Sequence, residues 1–238
     1  MKLRLDKYLA DAGFGTRSEV KQLIRKCAVQ VNGTTAAGPE QKVDITLDAV
    51  TVDGKPVFFE NVSYYILNKP AGILSASRDG REKTVIDLIP EPKRRDLFPV
   101  GRLDRDTTGL LLITNDGKLS NRLMAPGKHV PKAYRATVSG SLPEDLAERF
   151  AAGVDIGDET LTAPAEVRVL GPEGPLTQVE LTLTEGRYHQ VKRMFEAVGC
   201  HVTALERISI GKLTLPEDLQ RGEVRKVEYE ELIAGLGI

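Results

Sequence analysis

Leu5, Tyr8, Leu9 and Ala12 recur at i, i+3, i+4 and i+7, which places them on one face of a helix. Gly13 and Gly15 end it. Thr16 and Glu19 have the spacing of a capping box, so a second helix starts at Thr16 and buries Val20, Leu23, Ile24 and Cys27. Val29 and Val31 alternate into Asn32-Gly33, and Val50 and Val52 alternate into Asp53-Gly54. Each pair predicts a short strand entering a tight turn. Two helices and a few small strands over residues 1–60 make one compact module.

A different texture begins at Tyr64. The apolar run Tyr64 to Leu67 predicts a strand that ends in Asn68-Lys69-Pro70. Residues 75–97 are polar and basic, with one apolar stretch at Val85 to Ile89, and predict an exposed loop. Leu110 to Thr114 predicts a strand, Asn115-Asp116-Gly117 a turn, and the residues after it a short helix stopped by Pro126. Tyr134, Ala136 and Val138 alternate, as do Val179, Leu181 and Leu183. Leu142 to Ala152 predicts a helix closed by Gly153. Val191, Met194, Phe195 and Val198 predict another, closed by Gly199. Helices and strands mix without regular alternation, so the expected class is α+β. A small N-terminal αα-β module precedes a domain over residues 61–238 with a mixed, largely antiparallel sheet flanked by helices.

The chain has 238 residues, of which 41% are apolar and 28% charged, an ordinary globular mix. No apolar run approaches the roughly 20 residues that span a bilayer. The first residues carry charge every second or third position and lack the apolar core of a secretory signal. Cys27 and Cys200 give no disulfide framework, which suits a reducing cytoplasm. Net charge is −1, but it is unevenly spread. Residues 1–35 carry seven Lys/Arg against three Asp/Glu, and residues 61–135 carry fourteen against eight. A polyanion responds to where cations lie rather than to their total. Arg4, Lys7, Arg17, Lys21, Arg25 and Lys26 form the polar side of the first two helices, either a solvated face or a phosphate-contacting one.

Candidate chemistry is concentrated in two stretches. No GxxxxGKS/T phosphate loop and no GxGxxG follow a strand. His129, His189 and His201 with two distant cysteines have no zinc spacing, so no metal and no cofactor are expected. Gly101 to Gly109, GRLDRDTTG, is a dense polar loop leading into an apolar strand. It reads as a structural Asp/Thr turn, as a magnesium site on Asp104 and Asp106, or as one ionised carboxylate between Arg102 and Arg105. Glu185 to Met194, EGRYHQVKRM, starts a helix and carries four cations or potential cations from Arg187 to Arg193. It reads as a wet basic face or as an anion-binding one.

GRLDRDTTGLLLITNDG resembles the catalytic loop of RNA pseudouridine synthases, and EGRYHQVKRM resembles that family's later motif as found in the RsuA group. YYILNKPAG resembles the strand that opens the catalytic domain, and KAYRATV the segment carrying the family's tyrosine. The four stand in the family's order. RLDKYLADAGFGTRSEVKQLIRKCAVQVNG resembles the alpha-L RNA-binding motif of small-subunit ribosomal protein four, with Cys27 where that motif usually has glycine.

The resemblance implies an isomerase that converts uridine to pseudouridine in ribosomal RNA of the small subunit. Asp104 would be the essential carboxylate. Tyr134 would pack on the target uracil, and Lys192 would pair with Asp104. Arg102 would reach into the RNA, with His189, Gln190 and Arg193 as neighbours. Residues 1–60 would bind RNA through Arg4, Lys7, Arg17, Lys21 and Arg25. The implied partner is ribosomal RNA or an assembling subunit, met by a cytoplasmic monomer with no membrane contact. Large-subunit RNA is the alternative substrate, and a non-catalytic assembly factor the alternative class. A magnesium nuclease would need further carboxylates beside Asp104 and Asp106.

Overall fold

The computed structural model describes residues 2–57, 62–90, 96–125, 127 and 130–238. Pro126 and His129, and Lys93 to Arg95 of the expected basic loop, lie outside the described residues. The chain divides into two compact units, Met1–Val62 with Ile89–Leu97, and Ser63–Leu88 with Phe98–Ile238.

The first unit runs β1 (Lys2–Arg4), α1 (Leu5–Asp11), α2 (Arg17–Arg25), β2 (Val29–Val31), β3 (Thr34–Thr35), β4 (Lys42–Asp44), β5 (Val50–Val52) and β6 (Lys55–Pro56). The capping box forms as its spacing predicts. Glu19 N donates to Thr16 Oγ1 at 3.1 Å, and Thr16 N donates to Glu19 Oε2 at 2.5 Å. Asn32-Gly33 and Asp53-Gly54 take positive φ, the conformation that closes a two-residue hairpin. Strand order is β3-β2-β5-β6, with β1 paired to β4. Leu5, Leu9, Val20, Val29 and Val43 are fully buried and form the core between helices and strands.

Two expectations change here. Arg4 ends β1 rather than lying on a helix, and its guanidinium donates to Asp6 at 3.0 and 3.1 Å. That bond holds the Asp6 carboxyl below its usual range and leaves less of Arg4 free for a phosphate. Lys7, Arg17 and Arg25 are exposed, and Lys21 is half-buried. Cys27 is exposed, not part of the buried stripe, because it stands one residue beyond the α2 cap at φ 57. A left-handed residue in that place stops the helix, and glycine takes it with least strain.

The second unit is built on one nine-stranded sheet. Its elements are β7 (Tyr64–Lys69), β8 (Phe98–Pro99), β9 (Thr108–Thr114), α3 (Gly117–Met124), β10 (Lys132–Ser139), α4 (Leu146–Ala152), β11 (Glu166–Glu173), β12 (Leu176–Leu183), α5 (Gln190–Ala197), β13 (His201–Ile210), β14 (Leu213–Thr214), β15 (Val224–Val227) and α6 (Tyr229–Leu236). The main order is β11-β12-β10-β13-β9-β7-β15. All pairs are antiparallel except β13 with β9. This is the expected α+β class with a mixed, largely antiparallel sheet.

At the parallel seam Gly109 sits opposite Arg207. Gly109 has φ +98, and a Cβ there would lie 2.3 Å from the Arg207 carbonyl oxygen. Only glycine lets the two strands approach so closely. The helix expected from Leu142 begins at Leu146, because the residues around Pro143 form its entry turn. The stretch 75–97 is not wholly an exposed loop. Ser75, Thr84, Val85, Ile86, Ile89 and Leu97 are buried, and Val85–Leu88 form a 3₁₀ turn. No helix among the described residues is long and apolar enough to cross a membrane.

Cys27→Gly is expected to stabilise the first unit by about 1 kcal/mol, because it removes left-handed strain at the end of α2. Urea denaturation followed by circular dichroism checks this. A lower midpoint for the glycine variant would contradict it.

Candidate active site

The loop from Gly101 to Thr107 enters β9 and is held by its backbone. Ser75 Oγ donates to the Leu103 carbonyl at 2.8 Å and accepts from Leu103 N at 3.1 Å. Gly72 N donates to the Arg105 carbonyl at 2.8 Å. Beneath the loop lies Lys69, the last residue of β7, with 0% exposure. Its ammonium donates to the carbonyls of Pro70, Asp104, Arg105 and Thr107 at 2.9 to 3.2 Å. Burial pushes the Lys69 amine down to about 8, against the pull of Asp106 and Asp104. Lys69 is the residue that sequence reasoning missed. Its signal was a lysine closing a largely apolar strand just before proline.

The loop turns Asp104 into a cleft of about 100 Å³. Arg102, Leu103, Thr107, Tyr134, Leu183, Gly186, Arg187, Gln190, Val191 and Leu205 line it with Asp104 and His189. Tyr134 lies on β10, between Leu181 of β12 and Arg207 of β13, and is buried to its edge. Arg102 is exposed on the wall and pairs with no carboxylate among the described residues. The Thr107 hydroxyl is buried without a hydrogen-bond partner among the described residues.

The second dense stretch supplies the facing side. Lys192 Nζ lies 3.4 Å from Asp104 Oδ2, and His189 Nε2 lies 3.6 Å from Asp104 Oδ1. Lys192 is closer still to Asp106, at 2.7 and 2.9 Å from its two oxygens. The expected pairing with Asp104 is therefore shared. Partial burial opposes the Lys192 charge, but the hydrogen bond to Asp106 and the two carboxylates outweigh it and raise its pKa. The same bond holds Asp106 below the usual carboxylate range. The pair of carboxylates that a magnesium site would use is thus bridged by an ammonium. Among the described residues no three His, Cys, Asp or Glu side chains cluster as metal ligands.

The rest of the basic stretch is not open to an anion. Arg187 donates to the Thr160 and Leu161 carbonyls at 2.8 and 2.7 Å and pairs with Glu185 and Asp158. Arg193 bonds the Ile156 carbonyl and lies 2.6 Å from Asp158. Gln190 is buried, accepts from Arg187 N and donates to Glu185, both at 2.8 Å. The structure brings Asp104, Tyr134, Arg102, His189 and Gln190 to one cleft, sets Lys192 against Asp104 and Asp106 outside its lining, and points Arg193 to the 156–158 loop. Cys200 is buried, and burial pushes its thiol pKa up, so it is no thiolate nucleophile.

Comparison with known proteins assigns this cleft a family. The RNA pseudouridylate synthase family model matches residues 63–197. The chain belongs to the RNA pseudouridine synthases. The enzyme is therefore an isomerase acting on RNA, and an S4 domain, an RNA-binding module, matches residues 3–48. It is 42% identical over 232 residues to the ribosomal small subunit pseudouridine synthase A of Escherichia coli (strain K12), covering 97% of this chain and 98% of that protein. It is 43% identical over 231 residues to an uncharacterised RNA pseudouridine synthase of Bacillus subtilis (strain 168), covering 97% of each. A crystal structure of a pseudouridylate synthase superposes with a TM-score of 0.68 at 35% identity, covering 98% of this synthase and 99% of that chain.

The buried Lys69 ammonium makes stability depend on pH. Below about pH 8 the folded and unfolded chains both hold its proton, and the folded state bears the cost of a buried charge. Between there and the ordinary lysine value of 10.5 the folded state sheds the proton first, so its stability rises with pH. Urea titrations are expected to show the native synthase gaining about 2 kcal/mol on Lys69→Met between neutral pH and about pH 9.5. A gap that moves the other way would remove Lys69 as a buried cation.

Proposed function

We propose that the synthase isomerises a specific uridine of small-subunit ribosomal RNA in the cytoplasm, with Asp104 as its essential carboxylate. Residues 61–238 carry the reaction and residues 1–60 bind the RNA. The observation that supports this most directly is the position of Asp104 inside the cleft, with Lys192 and His189 on one side and Tyr134 lining the same space. The name of the Escherichia coli relative supports the choice of small-subunit RNA.

Isomerisation breaks the bond between N1 of uracil and C1′ of ribose and forms one from C5 to C1′. The C5 proton is lost and N1 gains one, so atoms balance and no electrons leave. Asp104, with the Lys192 ammonium 3.4 Å from its Oδ2, serves either as nucleophile at C1′ or as the base that takes the C2′ proton to form a glycal and returns it as the new bond closes. Tyr134 offers an aromatic face to the loosened base, which must not diffuse away before it turns. Extracting the target from its stack costs a few kcal/mol, and Arg102 at the cleft wall offsets part of this through the backbone. Lys7, Arg17, Lys21 and Arg25 of the first unit supply sequence-independent phosphate contacts.

Asp104→Asn is expected to cut pseudouridine formation by at least about 10³-fold while ribosomal RNA is still bound. Tritium release from RNA labelled at C5 of uridine reads the first, and filter binding the second. Full activity of that variant would sink the assignment. Mapping pseudouridine in ribosomal RNA with and without the gene tests the choice of subunit. Neutral substitutions at Arg17, Lys21 and Arg25 together are expected to weaken binding and flatten its salt dependence, by about one unit for each phosphate no longer neutralised. An unaltered slope would return that face to simple solvation.

A further inference from the structure

Tyr188 is 73% exposed, the most exposed aromatic ring among the described residues. A large aromatic side chain left in water forgoes most of the gain that burial would bring. Its ring nonetheless has a partner: it stacks on the His189 imidazole with centroids 3.9 Å apart and planes 17° apart. His189 holds a left-handed backbone, φ 49 and ψ 32, and its Nε2 is 3.6 Å from Asp104 Oδ1. Non-glycine residues keep that conformation when surrounding structure enforces it, commonly at working sites. Three neighbours enforce it here. Arg193 Nη1 donates to the Tyr188 carbonyl at 3.1 Å, Gln190 is buried and brackets the turn, and Arg187 is tied to the 158–161 loop. Arg187 and Arg193 are engaged in holding the turn, Lys192 in bridging Asp106 and Asp104, and what the turn presents outward is an aromatic pair.

We propose that Tyr188, backed by His189, is a stacking platform for the nucleobase next to the target uridine. When the target leaves its stack, its neighbour loses a partner on that side. A flat aromatic face beside the cleft mouth replaces it, and stacking of this kind is indifferent to which base is offered. Asp104 meets the imidazole at Nε2 and the phenol lies on the imidazole's face, so His189 links the carboxylate to the proposed platform. This rests on the family's RNA isomerisation and not on the choice of ribosomal subunit.

The test uses the full chain and total RNA from cells lacking the gene, labelled with tritium at C5 of uridine, so that the target is present whichever RNA carries it. Native protein, Tyr188→Leu and Tyr188→Phe are compared by kcat/KM for tritium release at several salt concentrations. Tyr188 is exposed, so neither change threatens the fold. Leucine still covers His189 but has no π face, and is expected to lower kcat/KM about tenfold without changing the salt slope. Phenylalanine keeps the face and is expected to recover most of that loss. Two results would overturn the platform: a leucine variant within about twofold of the native protein, or equal losses for leucine and phenylalanine. A native protein that acts on the labelled RNA outside the small-subunit fraction would overturn the proposed substrate and leave the platform result readable.

Discussion

The ammonium of Lys69 lies under the loop that carries Asp104 and is shared among four main-chain oxygens. It has three N–H groups, so the four carbonyls divide them. A sharp loop turned inward from solvent exposes carbonyls that neither helix nor strand can satisfy, and leaving them bare costs about 1–3 kcal/mol apiece. Lys69 answers that need with one group. The cost is a charge kept fully out of water, visible in its lowered pKa. Ser75 and Gly72 complete the bracing from the segment that follows β7.

The seam between β9 and β13 is the second constraint. Gly109 lets Arg207 approach, and Thr108 Oγ1 donates to the Leu205 carbonyl at 3.3 Å across the same seam. Leu205 of β13 and Tyr134 of β10 then reach the cleft that the loop before β9 overhangs. The turn between β12 and α5 arrives at the same place, and its His189 with Lys192 of α5 reaches Asp104. Two dense motifs far apart in the chain meet because the sheet order places β9 and β10 on either side of β13.

What was legible in the chain was mostly local. The Thr16–Glu19 cap, the Asn32-Gly33 and Asp53-Gly54 turns, and the apolar run that becomes β9 each depend on neighbours within a few residues. The two motif stretches were legible because polar residues crowd there against apolar flanks. β13 was not, since its burial does not alternate strictly and it buries Arg207. The roles of Arg187 and Arg193 were not legible either, because their shared partner Asp158 stands well before them in the chain, on a separate loop. Charge counted along the sequence carries no information about which cations are already neutralised. Lys69 stands within a motif, yet its acceptors are main-chain oxygens, which no side-chain pattern encodes.

That choice of acceptors separates two things that most reactive loops entangle. Because Lys69 grips oxygens common to every amino acid, these bonds do not depend on which side chains stand at 104, 105 and 107. A change of side chain at those positions leaves these particular bonds to be made as before. The chain thereby owns a mould that is fixed from below and can be fitted with different chemistry from above.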